Sequence, residues 1–120
     1  MFEDLAKAIA DLAGHIEAKL KIPVALSPAD SKKVATGGLV AFIDAPILEP
    51  SRARLSGEGG QRTQVVLVAA GTEKNQVLEL YRMLSAVLAV IPAEWSFQAG
   101  AVIQPVMVGD VPAYQIPIAR

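Results

Sequence analysis

Residues 65–78 read VVLVAAGTEKNQVL, and this stretch decides the fold because it carries a buried strand directly into a helix. The run TQVVLVAA at 63–70 is apolar at consecutive positions, which predicts a strand buried on both faces of a sheet. Gly71 and Thr72 follow, and the periodic segment 73–91 predicts a helix. We expect Thr72 to be the N-cap residue, because its hydroxyl can accept a hydrogen bond from an exposed backbone N–H.

The same order of strand, glycine and helix start occurs in many proteins that bind phosphate. A Walker loop, however, needs several glycines, a lysine and a hydroxyl, and a dinucleotide fingerprint needs spaced glycines. Gly71 is the only glycine in this stretch, and Glu73 places a negative charge in the first helical turn, where it would repel a phosphate. The stretch is therefore predicted to be scaffold and not a nucleotide site.

Composition bounds the class of protein. The 120 residues, 52% of them hydrophobic, suit a single domain spanning 1–120 with a sizeable core. A net charge of −1 provides no global basic field for nucleic-acid binding. Because there is no cysteine, disulfides, thiolate nucleophiles and the usual zinc sites are excluded. No motif in the sequence suggests a cofactor or metal, and none is expected. The longest apolar stretch, 83–93, is well short of the ~20 residues that span a bilayer, so no membrane partner is expected.

Hydrophobic periodicity places the other elements around the central strand. The N-terminal segment up to Leu20 has its apolar residues on one side, which predicts an amphipathic helix that Pro23 brings to an end. Short β-prone runs at 22–26 and 39–44 predict two strands. Two more strands, paired as a hairpin around the Gly109–Asp110 turn, are predicted at 96–108 and 112–119.

The predicted order of elements is therefore α-β-β-β-α-β-β. With only two helices available to cover the sheet, we predict an α+β fold, in which a mostly antiparallel or mixed sheet of about four to five strands has both helices packed on one face. Pro117 cannot donate a ladder hydrogen bond. The last strand is therefore expected to be an edge strand, or to have Pro117 facing away from its neighbour.

Residues 45–61, APILEPSRARLSGEGGQ, show no sustained period and contain several prolines and glycines, which predicts a long flexible loop. Arg52 and Arg54 lie in this loop, and Arg62 follows it directly. A charged loop is often merely solvated. The alternative is that the three arginines bind carboxylates or phosphates on a partner, because guanidinium groups pair well with both.

The second half of the 73–91 helix is apolar nearly all round. Its outward side there consists of Met83, Ala86, Ala89 and Val90, where the first half carries polar residues. A helix of this kind is expected to be buried on both sides. The cover is either a loop or the C-terminal strand of the same chain, or a second subunit, because exposed apolar patches mark association.

No residue suggests catalysis. His15, the sole histidine, lies on the polar face of the first helix one turn after Asp11. General-base catalysis also needs a cleft and a positioned partner, and a solvated helix face supplies neither. Trp95 and Phe97 are more typical of a core than of a ligand site. The sequence therefore predicts that the protein is not an enzyme.

Several features together resemble the tail terminator, or tail-completion, proteins of long-tailed bacteriophages. They are the opening amphipathic helix, PVAL at 23–26, the long insertion with prolines, glycines and arginines, VVLVAAGTEKNQVLELYRML at 65–84, Trp95 soon after the second helix, and a closing hairpin that ends PAYQIPI. The resemblance covers most of the chain, and VAAGTEKNQVL is its most specific part.

This resemblance implies a structural virion protein without catalytic activity. Such a subunit forms a ring, commonly a hexamer, that caps the finished tail tube, ends tail polymerisation and provides the surface to which the head attaches. The implied partners are further copies of the chain, the tail tube protein and a head-neck connector protein, with DNA only passing through the lumen. The implied location is the virion, and the host cytoplasm during assembly. The alternatives are a small-molecule-binding regulatory α+β domain, or a connector protein of the head-tail neck.

Overall fold

The computed structural model describes residues 5–26, 39–50, 59–98 and 100–120. They form two helices and one seven-stranded mixed sheet, which confirms the α+β class. In chain order the elements are α1 (Leu5–Leu20), β1 (Val24–Ala25), β2 (Val40–Ile43), β3 (Ile47–Leu48), β4 (Gln61–Val68), α2 (Lys74–Val90), β5 (Ser96–Phe97), β6 (Gln104–Val108) and β7 (Val111–Ala119).

β4 and β7 form the centre of the sheet. The strands lie in the order β1-β2-β4-β7-β5, with β3 beside the start of β4 and β6 beside β7. Only the β1 and β2 pair is parallel, and the remaining pairs are antiparallel. β4 and β7 are paired along seven residues, from Arg62 opposite Ala119 to Val68 opposite Ala113. This long register fixes which side chains of the two strands share a face.

Both helices pack on one face of the sheet, which we call the helix face. α1 buries Ala8, Leu12, Ala13 and Ile16, and α2 buries Leu80 and Val87. These side chains form one core with alternate residues of the strands, including Ala41, Ile43, Val65, Leu67, Ile116 and Ile118. The apolar stripes of two helices therefore cover a single sheet face, as the sequence predicts.

The other face, which we call the reverse face, has its own buried apolar cluster. It consists of Ala25, Val40, Phe42, Val66, Val68 and Ala113, with Val106, Val108 and Val111 packed against it. In β4, Val65 and Leu67 point to the helix face, whereas Val66 and Val68 point to the reverse face. All four are buried, so the prediction that this strand is buried on both faces is confirmed.

The sheet has more strands than predicted, because part of the expected loop at 45–61 pairs with β4. Ile47 and Leu48 of β3 lie opposite Arg62 and Gln61, and the N–H of Glu49 donates to the carbonyl of Gly60 at 2.6 Å. The loop interpretation was wrong for these residues, because ladder pairing satisfies backbone groups whatever the side-chain pattern. The rest of that loop, 51–58, lies outside the described residues.

The predicted strand at 96–108 is two strands, β5 and β6, and Pro117 explains the break. β6 pairs with residues 111–115 of β7, and β5 pairs with residues 118 and 119. Pro117 therefore has no paired strand residue on that side of β7. Gly100, in the interruption, has a φ of +72°, which suits glycine. β7 is a central strand and not an edge.

The position of Pro117 nevertheless satisfies the second alternative, that it faces away from a neighbour. Gln61 and Arg120 exchange both backbone hydrogen bonds, at 3.1 and 2.9 Å. Hydrogen-bonded pairs alternate with non-hydrogen-bonded pairs along an antiparallel ladder. Since Pro117 lies opposite Gln64, three positions along the register, it is in a non-hydrogen-bonded pair. No ladder hydrogen bond to β4 is lost.

α2 begins one residue later than predicted, and its N-cap is Glu73, not Thr72. The backbone N–H of Glu73 donates to Gln76 Oε1 at 3.2 Å, which is the return half of a capping box. The side chain of Gln76 lies against Gly71, where an added Cβ would be only 2.3 Å from Gln76 Oε1. This side chain occupies the space over the helix start, as expected of a scaffold turn.

α1 ends as predicted just before Pro23, through a residue in a left-handed conformation. Lys21 has a φ of +55°, and its N–H donates to the carbonyl of Glu17 at 2.8 Å. This geometry is usually adopted by glycine, because a Cβ is crowded there. Within the described residues, no helix has the length and apolarity to cross a membrane.

Candidate functional site

A cleft of about 480 Å³ lies on the reverse face, at the end of the sheet where β4 begins. The register places Gln64 opposite Pro117, and Arg62 opposite Ile47, so these side chains lie on the same face. We call this the reverse-face cleft. Its described lining residues are Asp44, Ala45, Ile47, Arg62, Thr63, Gln64, Gln98 and Pro117.

Arg62 is held in a fixed orientation on one wall of the cleft. Its Nε and Nη2 donate to Gln98 Oε1 at 3.0 and 2.6 Å. Its Nε also lies 3.4 Å from Glu49 Oε1. The Arg62 side chain is 46% exposed, so the ion pair with Glu49 is partly screened by water. The carboxylate of Glu49 offsets part of the guanidinium charge.

Gln98 is itself anchored to the sheet. Its Nε2 donates to the carbonyl of Ile118 at 3.2 Å and, more weakly, to the carbonyl of Thr63 at 3.5 Å. A side-chain amide has one acceptor and two donor hydrogens, and here both ends are engaged. The chain just after β5 is thereby attached to β4 and β7, and the orientation of Arg62 depends on that attachment.

Asp44 is the acidic residue among the described residues that line the cleft. Gln64 Nε2 donates to Asp44 Oδ2, and the hydroxyl of Thr63 donates to the backbone carbonyl of Asp44 at 2.7 Å. Among the residues that the structure describes, no lysine or arginine forms an ion pair with this carboxylate. Among the described residues that line the cleft, Asp44 therefore carries a negative charge without a cationic partner.

Arg62 is the only one of the three predicted partner-binding arginines that the structure describes. It belongs to the internal network with Gln98 and Glu49. Arg52 and Arg54 lie outside the described residues, so their expected role stays a prediction.

The apolar side of α2 is less uniform than its sequence suggests. Met83 packs against the core of the helix face, Ala86 and Val90 are half-buried, and Ala89 is exposed. A loop or strand of the same chain therefore does not bury this side completely within the described residues. The four residues remain candidates for a subunit contact, with Ala89 the most accessible.

Other large apolar side chains of the described residues are also exposed. At the end of the sheet that holds the cleft, Ile47 is 63% exposed and Phe97 is 49% exposed. At the other end of β7, Met107 in β6 is 64% exposed. The remaining ones are Leu26, Leu48, Leu78, Tyr81 and Val102. Phe97 was expected to be core, and this is wrong, whereas Trp95 is buried as expected.

His15 is half-buried and lines a cleft of about 360 Å³, so the expectation of a fully solvated position was wrong. The cause is tertiary, since Trp95 and Arg120 lie beside α1 in the folded chain. The Arg120 guanidinium lies 5.8 Å from the centre of the Trp95 ring. The carboxylate of Asp11 pairs with Lys7 at 2.7 Å. Across the described segments His15 has no positioned carboxylate, as a general base would need.

Asp44, Gln64 and Gln98 are the site residues that the sequence analysis missed. A weak signal existed, because Asp44 directly follows a buried run and Gln64 is polar within a strand buried on both faces. Nothing in the sequence brings Gln98 to Arg62, which is 36 residues away along the chain. No group of three histidine, aspartate or glutamate residues capable of holding a metal occurs in the described parts of the chain.

Comparisons with protein-family models, curated proteins and solved structures found no match to this chain.

Proposed function

We propose that this protein is a ring-forming subunit that ends the tail tube of a long-tailed bacteriophage and offers the surface to which the head attaches. The observation that carries the proposal is the distribution of exposed apolar side chains over separate sides of one small subunit. Ile47 and Phe97 lie at one end of the sheet, Met107 lies on the β6 side, and Leu78 lies on α2. We propose that each of these side chains contributes to a contact surface, because apolar surface gains free energy when it is removed from water.

Separate patches suit a ring better than a two-fold dimer. A dimer with two-fold symmetry uses one self-complementary patch, whereas a closed ring needs two different patches on each subunit that meet head to tail. A subunit that also contacts the tube below and the connector above needs further surface. Exposed apolar side chains on α2, on β6 and at the β3 and β5 end are in keeping with that number of contacts.

The fold class also supports the proposal, since the sequence resemblance implies a small α+β subunit. The chain carries no strong net charge, which is compatible with a lumen that lets DNA pass without gripping it. The proposed partners are other copies of the chain, tail tube protein and a head-neck connector protein. The proposed location is the virion neck, with assembly in the host cytoplasm.

The test has two parts. Sedimentation velocity over a range of protein concentrations should reveal a discrete closed oligomer, and negative-stain electron microscopy should show rings. Incubation with purified tail tubes should place the protein at one tube end and stop further addition of tube protein. A chain that stays monomeric at every concentration and does not bind tube ends would contradict the proposal.

A small-molecule-binding regulatory domain is the main competitor, and the same preparation can test it. A metabolite that raises the melting temperature in a saturable way, without any effect on tube ends, would favour that class of function.

A further inference from the structure

We propose that the reverse-face cleft binds the guanidinium group of an arginine side chain presented by a protein partner, with Asp44 as its counter-ion. The inference deepens the proposed function, since it names the chemistry that one contact of the subunit would use. It rests on that function only in assigning the guanidinium to another protein of the assembly.

Charge is the first argument. The described lining of the reverse-face cleft carries two charged side chains, Asp44 and Arg62, and Glu49 contacts Arg62 without lining the cleft itself. Glu49 lies 3.4 Å from Arg62 and offsets its charge, whereas Asp44 has no cationic partner among the described residues. The space beside Asp44 therefore favours a cation over an anion. A carboxylate or phosphate placed there would be repelled by the charge of Asp44.

Hydrogen bonding is the second argument, and it distinguishes a guanidinium from a simple ammonium. Gln64 donates its Nε2 to Asp44 Oδ2, which fixes the amide and leaves Gln64 Oε1 and Asp44 Oδ1 without a donor in the described structure. Two acceptors in one cleft suit a planar group with several N–H donors in a fork. An ammonium is a compact point charge and gains less from this pair.

The apolar walls are the third argument. Ala45, Ile47 and Pro117 line the same cleft, and Ile47 is 63% exposed. Arginine side chains bury their methylene groups along apolar surface while the charged head reaches a polar partner. A stem packed on Ile47 and Pro117 would bring the head to Asp44. The cleft thus offers separate surfaces for the two chemically different halves of one side chain.

The experiment uses L-arginine amide as the probe and L-citrulline amide, its uncharged isostere, as the control. Backbone amide resonances are followed by NMR during titration of the whole chain. We expect saturable shifts centred on residues 44–47 and 62–64 with a millimolar dissociation constant for the arginine probe, and no saturable shift for citrulline. Raising the ionic strength should weaken binding, because a partly exposed ion pair is screened by salt.

Variants locate the binding. Asp44→Asn should weaken arginine amide roughly fivefold or more, the effect of losing one partly exposed ion pair. Asp110→Asn, at the distant β6–β7 turn, is the matched control and should bind as the wild type does. Ile47→Ser alters an exposed wall residue without touching the core and should also weaken binding.

Equal affinity for citrulline amide, unchanged affinity in both Asp44→Asn and Ile47→Ser, or no saturable shift at all would overturn the inference. Sedimentation of the same wild-type sample separates this result from the fate of the proposed function. If the chain is monomeric but binds arginine amide at Asp44, the inference about the cleft is supported and the proposed ring is contradicted. If the chain forms a ring but does not bind arginine amide, the proposed function is supported and the inference about the cleft is contradicted.

Discussion

Arg62 donates two hydrogen bonds to Gln98, from Nε at 3.0 Å and from Nη2 at 2.6 Å, although the two residues are 36 positions apart. Gln98 in turn donates to the carbonyl of Ile118 in β7. One side chain thus connects β4, β7 and the segment after β5. We call these hydrogen bonds of Arg62, Gln98 and Ile118 the clasp. The clasp links strands at the end of the sheet where β3 and β5 are each only two residues long.

Gln98→Ala should therefore destabilise the fold by about 1 kcal/mol, a modest figure because the Arg62 side chain is half-exposed. Urea denaturation measures the change. Gln104→Ala, at an exposed position in β6, is the control and should lie within about 0.5 kcal/mol of the wild type. Equal stability of the two variants would show that the clasp contributes nothing.

The two faces of β4 should respond alike to a buried hydroxyl. Val65→Thr places it on the helix face and Val66→Thr places it on the reverse face, and both residues are almost fully buried. Each substitution should lower the free energy of unfolding by about 1 to 3 kcal/mol, because the buried hydroxyl loses its hydrogen bonds to water and gains no protein partner. Thermal unfolding tests this prediction. A neutral Val66→Thr would mean that the reverse face is open to solvent.

Lys21→Gly should stabilise the protein, by up to about 1 kcal/mol. The left-handed φ of +55° costs a residue with a Cβ about 1 to 2 kcal/mol, and the extra freedom of glycine in the unfolded chain removes part of the gain. Lys19→Gly, inside α1, should instead destabilise by about 1 kcal/mol. Melting temperatures that fall equally for both variants would contradict this account of the helix end.

Gly71 and Gln76 should be energetically coupled. An alanine at 71 would place its Cβ 2.3 Å from Gln76 Oε1, so the amide must move away and lose its hydrogen bond from the N–H of Glu73. Gly71→Ala should cost about 1 kcal/mol in the wild type and much less when Gln76 is already alanine. A double-mutant cycle by urea denaturation gives the coupling, and a value near zero would exclude this packing role.

Ala89→Glu should weaken self-association about tenfold if the exposed side of α2 lies in a subunit contact, because a buried unpaired carboxylate is strongly unfavourable. Ala10→Glu, an equally exposed alanine on α1, is the control. Sedimentation velocity compares the two at matched concentrations. If both variants assemble as the wild type does, this side of α2 is not a contact.

The regular elements with a strong apolar pattern could be predicted from the sequence. The amphipathic stripes of α1 and α2 and the continuous apolar run of β4 each require burial, and burial of apolar surface is the main favourable term in folding. The hairpin at Gly109 followed from local turn chemistry, and its φ of +60° suits glycine. The prediction failed at β3, whose two residues carry no pattern of their own.

The sequence by itself therefore determined the α+β class and the two helices on one face, because periodic burial is encoded locally in residue order. Only the tertiary structure decided that β7 is central, that Arg62 meets Gln98, and that Asp44 lies beside Gln64 in a cleft. These relationships depend on strand register between segments far apart in the chain. The alternation of side chains along one strand does not identify the residue that lies opposite on the next strand. Register is therefore fixed by long-range packing.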